Sequence, residues 1–245
     1  MEENFPKFED FTDSLVAFID VLGFDQRARS IKDENDFFEV GNLLYTTNLI
    51  AQNLSNVGGV LENFRVTAIS DSIIATVPFS DPVCTVGMLN ILHNIQYEMV
   101  ATNFKTLVRG YICRGPVYHK GGLLFGSGYS EAYKGEKTIG SAPRIILAPE
   151  VVNDAIRVIS QYSGKEKMVT ALNYLQQDNC DGFYFIDYLK PVGTQSVLPK
   201  EQLLEERAAI KSFIEEALHK YRDDHGILPK YKWLENYFYR SASYF

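Results

Sequence analysis

Residues 16–24 read Val16-Ala17-Phe18-Ile19-Asp20-Val21-Leu22-Gly23-Phe24, an apolar run interrupted by one aspartate. Its length and composition predict a buried strand from Ser14 to Leu22. A second aspartate lies in a similar setting, Ile69-Ser70-Asp71-Ser72-Ile73-Ile74-Ala75. Because burial of an unpaired carboxylate is costly, two such residues in similar strands predict a shared cation.

Two neighbouring strands can present both carboxylates at one point, and hard oxygen ligands suit Mg²⁺ or Mn²⁺. We therefore expect Asp20 and Asp71 to hold two divalent metal ions against a nucleoside triphosphate. The backbone of Val21, Leu22, Gly23 and Phe24 leads into a polar helix start, and its N–H groups can hold phosphate oxygens. Each aspartate also has a plainer interpretation, Asp20 as the start of a turn and Asp71 as an exposed residue of an edge strand.

The composition limits the class of protein. A formal net charge of −7 over 245 residues argues against a general nucleic-acid-binding surface, although it allows a mononucleotide site. The three cysteines lack CxxC spacing and predict neither a disulfide framework nor a zinc site. No stretch has the pattern of a signal peptide or of a membrane span, so we expect a cytoplasmic protein.

The order of predicted elements indicates the fold class. Strand, helix, hairpin, helix and strand follow one another, which predicts an α+β, ferredoxin-like sheet with helices on one face. Periodicity predicts helices over 37–53, 82–100, 129–137 and 203–225, and strands over 14–22, 64–69, 72–77, 107–118, 144–147 and 183–188. Gly58-Gly59 ends the first helical unit. We expect a catalytic domain over 1–200 and a C-terminal helix with an aromatic tail over 201–245, packed on the domain or on a dimer partner.

These motifs resemble those of the class III nucleotidyl cyclases. Residues 18–24 are similar to the first metal motif of that family, and residues 69–72 to the second. Residues 109–117, Arg109-Gly110-Tyr111-Ile112-Cys113-Arg114-Gly115-Pro116-Val117, resemble the strand that follows, and Phe125-Gly126 the glycine before the transition-state helix. The resemblance runs in order from Leu15 to Leu147, which is more specific than any single motif.

Within the family, the chain looks most like the small stand-alone pyrimidine cyclases of bacterial Pycsar anti-phage systems. The shared features are chain length, the FxDxLGF and SDS motifs, the Arg-Gly strand and the pair Ala132-Tyr133. The resemblance implies a homodimer with active sites between the subunits, two bound Mg²⁺ or Mn²⁺ ions, and conversion of UTP or CTP to the 3′,5′-cyclic monophosphate and pyrophosphate. The product would then activate a separate effector in antiviral defence.

Two positions distinguish the chain from purine cyclases. Thr67 lies four residues before Asp71, where those enzymes carry a base-reading lysine or glutamate, and Leu123 aligns with a second base-reading residue. A site that has lost both contacts cannot read a purine in the usual way, which favours a pyrimidine.

Two further positions depart from the family at the transition-state helix. Ser130 and Lys134 stand where the family has an asparagine and an arginine. Lysine lacks the planar fork of arginine, so Arg109, Lys137 or Arg144 could supply the missing cation, and we favour Arg144 over Lys134. The alternatives are a catalytically inactive, nucleotide-binding regulatory module, a purine cyclase, and another palm-type transferase. The histidines predict structural roles on helices, except His119, for which we expect a solvated loop.

Overall fold

The computed structural model describes residues 6–57, 61, 63–101, 105–138, 142–162 and 174–244. In this part of the chain, eight strands form one mixed sheet in the order β2-β3-β1-β4-β6-β8-β7, and β5 pairs with β4. The strands are β1 Thr12–Val21, β2 Arg65–Ile69, β3 Ser72–Pro78, β4 Val108–Lys120, β5 Leu123–Phe125, β6 Ile145–Leu147, β7 Leu175–Gln177 and β8 Tyr184–Ile186. The β4–β6 pair is parallel, and the other pairs are antiparallel.

Helices accompany the sheet along its length. They are α1 Phe24–Arg29, α2 Glu34–Val57, α3 Val83–Ala101, α4 Ser127–Thr138, α5 Pro149–Tyr162, α6 Lys200–Lys220 and α7 Leu228–Arg240. Short 3₁₀ turns cover Phe8–Asp10, Gly193–Val197 and Ser241–Tyr244. Within the described ranges, none of the helices combines the length and apolar character that crossing a membrane requires.

Strand β1 lies between β3 and β4 and is covered on both faces. Its residues from Leu15 to Ile19 are at most 5 % exposed, which explains their unbroken apolar composition. The antiparallel register places Asp20 opposite Ser72 of β3 and opposite Arg109 of β4. The aspartate thus reaches the end of the sheet, where the strand emerges from the core.

The C-terminal helices pack on the same domain through aromatic side chains. The Phe185 ring of β8 lies 5.5 Å from the Trp233 ring and 5.4 Å from the Tyr237 ring, and Tyr237 is completely buried. The Tyr237 and Tyr244 hydroxyls each donate to the Asp187 carboxylate at 2.6 Å. The aromatic tail therefore fills a core of its own chain, while the domain boundary at residue 200 stays a prediction.

The α+β class with a C-terminal helical extension is confirmed, and each predicted helix and strand has an observed counterpart. The sequence patterns do not predict α5, β5, β7 or the helical form of residues 228–240. The last predicted helix ends at Lys220, five residues before the predicted end at His225. Gly58-Gly59 and Phe245 lie outside the described residues.

Helix α4 approaches the sheet closely because two glycines face each other. A Cβ atom on Gly128 would lie 2.8 Å from the carbonyl oxygen of Gly115 in β4. Backbone atoms on both sides leave no room for a methyl group, so α4 and β4 depend on this contact.

We predict that Gly128→Ala lowers the free energy of unfolding by about 1–3 kcal/mol, the usual cost of overpacking. The matched control is Gly41→Ala in α2. A methyl group on Gly41 would have no neighbouring atom within 4 Å, so this variant should gain roughly 0.5–1 kcal/mol. Urea denaturation of both variants measures the difference. Equal stability of the two variants would contradict the close packing.

Candidate active site

Asp20 lies at the end of β1 with a polar neighbour on each side. The Ser72 hydroxyl donates to Asp20 Oδ1 at 3.2 Å, and Arg109 Nη2 lies 3.4 Å from Oδ2. The Asp20 side chain is 13 % exposed, so the carboxylate is largely buried yet open on one side. The arginine partly compensates its charge, as expected of a carboxylate removed from water.

Asp71 lies in the tight turn between β2 and β3. The preceding residue, Ser70, adopts the left-handed conformation with φ 55°, and the Asp71 carbonyl accepts the Val21 N–H at 3.1 Å. Burial raises the pKa of the Asp71 carboxyl group, and the negative charge of Asp20 raises it further. The structure therefore brings the two predicted aspartates into one electrostatically coupled site.

This pair of carboxylates fits a divalent metal. Their mutual repulsion is a cost that a cation would relieve, and both donors are hard oxygens. No cluster of three or more potential ligands occurs in the described ranges. A set of two carboxylates suits Mg²⁺ or Mn²⁺, which commonly takes one or two carboxylates and completes its coordination with phosphate and water.

The turn after Asp20 offers fewer free amides than the sequence predicted. The Val21 and Leu22 N–H groups already donate to the carbonyls of Asp71 and Leu107, so they are not available to phosphate. The Gly23 and Phe24 N–H groups have no acceptor among the described residues. Gly23 adopts φ 81°, a conformation that favours glycine. The predicted phosphate contact is therefore corrected to Gly23 and Phe24.

Arg109 links the aspartate site to helix α4. Its Nε lies 2.5 Å from Glu136 Oε1, and the Glu136 side chain is fully buried. Burial raises the pKa of Glu136, while Arg109 acts in the opposite direction. The sequence patterns do not reveal Glu136, because a charged residue on a polar helix gives no sign that it turns inward.

Ser130 and Lys134 lie on the exposed side of α4. Both are solvent-exposed, whereas Gly128, Ala132 and Gly135 form the buried side. Neither side chain contacts Asp20 or Asp71 of the same chain in the part that the structure describes. Within one chain, neither residue is therefore placed to act at the Asp20–Asp71 pair.

The Arg144 guanidinium is committed to a structural cluster. It is 4 % exposed, pairs with Asp178 at 2.5 Å and with Asp181, and lies 5.5 Å from the Trp233 ring. The Trp233 indole N–H donates to the same Asp178 oxygen at 2.7 Å. Breaking such a buried cluster would cost stability, which favours a structural role for Arg144 over the catalytic role that the sequence predicted.

The prediction of a solvated loop at His119 is wrong. His119 is a buried residue of β4, and its two ring nitrogens lie 2.7 Å from Thr67 Oγ1 and 2.8 Å from Thr76 Oγ1. Arg65 donates to the His119 carbonyl at 2.5 Å. The hydroxyl of Thr67 is thus held by an imidazole, and Leu123 lies half-exposed in β5. A His-Lys-Gly-Gly sequence reads as a turn, but the turn begins only after Lys120.

Comparison with known proteins finds similarity to solved structures. No family model matches the chain, and no curated protein does. The adenylyl cyclase CyaB from P. aeruginosa is 13 % identical with a TM-score of 0.48, over 76 % of this chain and 97 % of that one. The guanylyl cyclase domain of the RhoGC fusion protein from Blastocladiella emersonii is 16 % identical with a TM-score of 0.45, over 72 % and 95 %.

A third similar structure is a class III adenylyl cyclase-like ATP-binding protein from Pseudomonas aeruginosa. It is 13 % identical with a TM-score of 0.42, and the match covers 65 % of this chain and 39 % of that chain. Because all three TM-scores lie below 0.5, the activity of this chain has to be inferred from its own residues.

We predict that Asp71→Asn raises the melting temperature of the metal-free protein at pH 7, because it removes one of two repelling charges. The matched variant is Asp20→Asn, which relieves the same repulsion but also takes one of two carboxylate partners from Arg109, so its melting temperature should lie below that of Asp71→Asn. Thermal denaturation in EDTA distinguishes the two. A lower melting temperature for Asp71→Asn would argue against electrostatic coupling of the aspartates.

A second prediction concerns His119. Burial, and then the charge of Arg65, lower the pKa of His119 from 6.5 to about 4. The unfolded chain takes up a proton near pH 6.5 and the folded chain does not, so stability falls as the pH drops from about 6.5 to about 4. One histidine contributes at most about 1.4 kcal/mol per pH unit. His119→Gln should flatten the measured pH dependence of unfolding; an unchanged slope would contradict the buried neutral imidazole.

Proposed function

We propose that this chain is a nucleotidyl cyclase that converts a nucleoside triphosphate to its 3′,5′-cyclic monophosphate and pyrophosphate. The observation that carries the proposal is the convergence of Asp20 and Asp71 beside the Gly23 turn. Carboxylates for a metal and free amides for phosphate stand together at the end of the central strand. Metal-assisted phosphoryl transfer needs both kinds of group, one to bind the metal and one to bind the phosphates.

The reaction is an in-line displacement at the α-phosphorus. The ribose 3′-oxygen forms a new P–O bond as the bond to pyrophosphate breaks, and the 3′-hydroxyl proton passes to solvent water. Two divalent ions held by Asp20 and Asp71 would lower the pKa of the 3′-hydroxyl and neutralise the leaving phosphates. Gly23 and Phe24 donate their N–H groups to the phosphate oxygens and orient the triphosphate.

Arg109 positions the Asp20 carboxylate for metal binding. The arginine lies between the Asp20 and Glu136 carboxylates, so its position is fixed from two sides. Its positive charge offsets part of the charge of the Asp20 carboxylate. Arg109 is therefore a positioning residue in the proposal, with Glu136 as the buried group that anchors it.

We further propose that the substrate is a pyrimidine nucleotide, UTP or CTP, and that the product serves as a second messenger in anti-phage defence. The support is the neutral character of the base-reading positions. Thr67 carries only a hydroxyl bound to His119, and Leu123 offers no polar group. Neither can provide the charged contact expected for a purine.

The proposal includes a homodimer that completes each site. Ser130 and Lys134 point to solvent in a single chain, and the resemblance implies that they face the Asp20–Asp71 pair of the partner subunit. Lys134 would then supply positive charge to the transition state, as a point charge rather than as the bidentate fork of an arginine.

Incubation of the purified protein with ATP, GTP, UTP and CTP in the presence of Mn²⁺, with identification of the products, tests the proposal. We expect cyclic UMP or cyclic CMP and stoichiometric pyrophosphate. Asp20→Asn and Asp71→Asn should each lower turnover by about 100-fold or more, since each removes a metal ligand. The matched control is Asp223→Asn, which makes the same change at a side chain that is 88 % exposed and should keep full activity.

Each contradicting result removes a defined part of the proposal. Preferential formation of cyclic AMP or cyclic GMP would replace the pyrimidine assignment by a purine one. Retained activity in Asp20→Asn or Asp71→Asn would contradict the metal role. Nucleotide binding without pyrophosphate release would favour the inactive regulatory module.

A further inference from the structure

A cleft of about 630 Å³ adjoins the Gly23 turn and is closed on one side by the C-terminal helices. Among the residues that the structure describes, four basic side chains line it: Arg27, Lys105, Lys220 and Lys230. Two acidic residues of α2 also line it, so the balance is two positive charges in a protein whose net charge is −7. Local positive charge in an acidic protein indicates an anion site.

The loop between α6 and α7 fixes the position of Lys230. The Asp224 carboxylate accepts the Gly226 and Ile227 N–H groups at 2.9 Å each, and it also accepts a hydrogen bond from the Gln26 side chain of α1. The Tyr231 ring stacks on Tyr221 with centroids 5.7 Å apart. These contacts hold the start of α7 against the helix that follows the Gly23 turn.

The Lys230 side chain is half-buried in the wall of the cleft. Burial lowers the pKa of Lys230, the charge of Arg109 lowers it further, and Asp224 and Asp20 act in the opposite direction. Among the described residues, no carboxylate lies within the 4.0 Å that defines an ion pair with this ammonium. A half-buried cation without a paired anion is unfavourable unless a ligand supplies negative charge.

We propose that Lys230 binds the β- and γ-phosphates of the nucleoside triphosphate from the same subunit that supplies Asp20 and Asp71. This inference rests on the proposed function and adds a residue to its site. The cleft reaches the site at Leu22 and Gly23, while Asp20 and Asp71 themselves do not line it. The phosphate tail thus extends from the aspartates along the Gly23 turn into the cleft, where Lys230 meets it.

The assignment gives the C-terminal extension a function in the reaction. Negative charge develops on the leaving pyrophosphate as the P–O bond breaks, and a cation beside the pyrophosphate stabilises that charge. Lys134 is exposed and Arg144 is committed to Asp178 and Asp181, so neither provides such a cation within one subunit. Lys230 lies on α7, outside the segment from Leu15 to Leu147 that carries the family resemblance.

The test compares Lys230→Met with wild type in two measurements. Calorimetric titration with inorganic tripolyphosphate and Mn²⁺ should show binding weakened by about 10- to 100-fold, the loss of one charge-assisted contact. The kcat/KM for the triphosphate that the wild type cyclises should fall by a similar factor. Lys230→Arg, which keeps the cation, should retain most of both.

Two controls separate a phosphate contact from a structural effect. Lys232→Met makes the same change on the exposed side of the same helix and should leave tripolyphosphate binding and kcat/KM unchanged. The melting temperature of metal-free Lys230→Met should not fall, because the variant removes a half-buried charge that repels Arg109. A merely structural role of Lys230 predicts the opposite change in melting temperature.

Unchanged tripolyphosphate binding in Lys230→Met, or equal weakening in Lys232→Met, would overturn the inference. An active wild type whose kcat/KM survives Lys230→Met would also overturn it and leave the cyclase proposal standing. Should the wild type cyclise none of the four triphosphates, the cyclase proposal fails, and tripolyphosphate binding still decides whether Lys230 holds phosphate.

Discussion

The site depends on holding two like charges together at the end of the central strand. The antiparallel register of β1 with β3 sets Asp20 opposite Ser72, and the hydrogen bond from the Val21 N–H to the Asp71 carbonyl ties the β2–β3 turn to the same point. The repulsion between the two carboxylates destabilises the folded state. Arg109, anchored by Glu136, offsets part of it, and a divalent cation would offset the rest.

The C-terminal helices are part of this arrangement. Trp233 and Tyr237 pack on β8, the Asp224 loop contacts α1, and Lys230 consequently stands at the cleft beside the Gly23 turn. An aromatic core and a charged cleft are thus built from one extension. The packing that stabilises α7 also determines where its lysine can reach.

The sequence predicts local features of this molecule well and long-range pairings poorly. The apolar run around Asp20 and the hairpin around Asp71 are visible because strand periodicity is a property of adjacent residues. The partner of Arg109 is not visible, because Glu136 lies on a helix whose charged residues mostly face water. The prediction for His119 is wrong because Gly121-Gly122 suggests a turn that already includes His119, whereas the strand continues to Lys120. Lys230 gives no signal at all, since only tertiary packing of α7 brings it near Asp20.

The proposed mechanism requires that Asp20 and Asp71 together bind divalent cations against a triphosphate. Anomalous diffraction from a crystal soaked with Mn²⁺ and a non-cyclisable triphosphate analogue measures this binding at the site itself. We expect manganese peaks coordinated by both carboxylates, with the phosphates extending past Gly23. Manganese bound elsewhere, or carboxylates that remain paired only with Arg109 and Ser72, would contradict the mechanism.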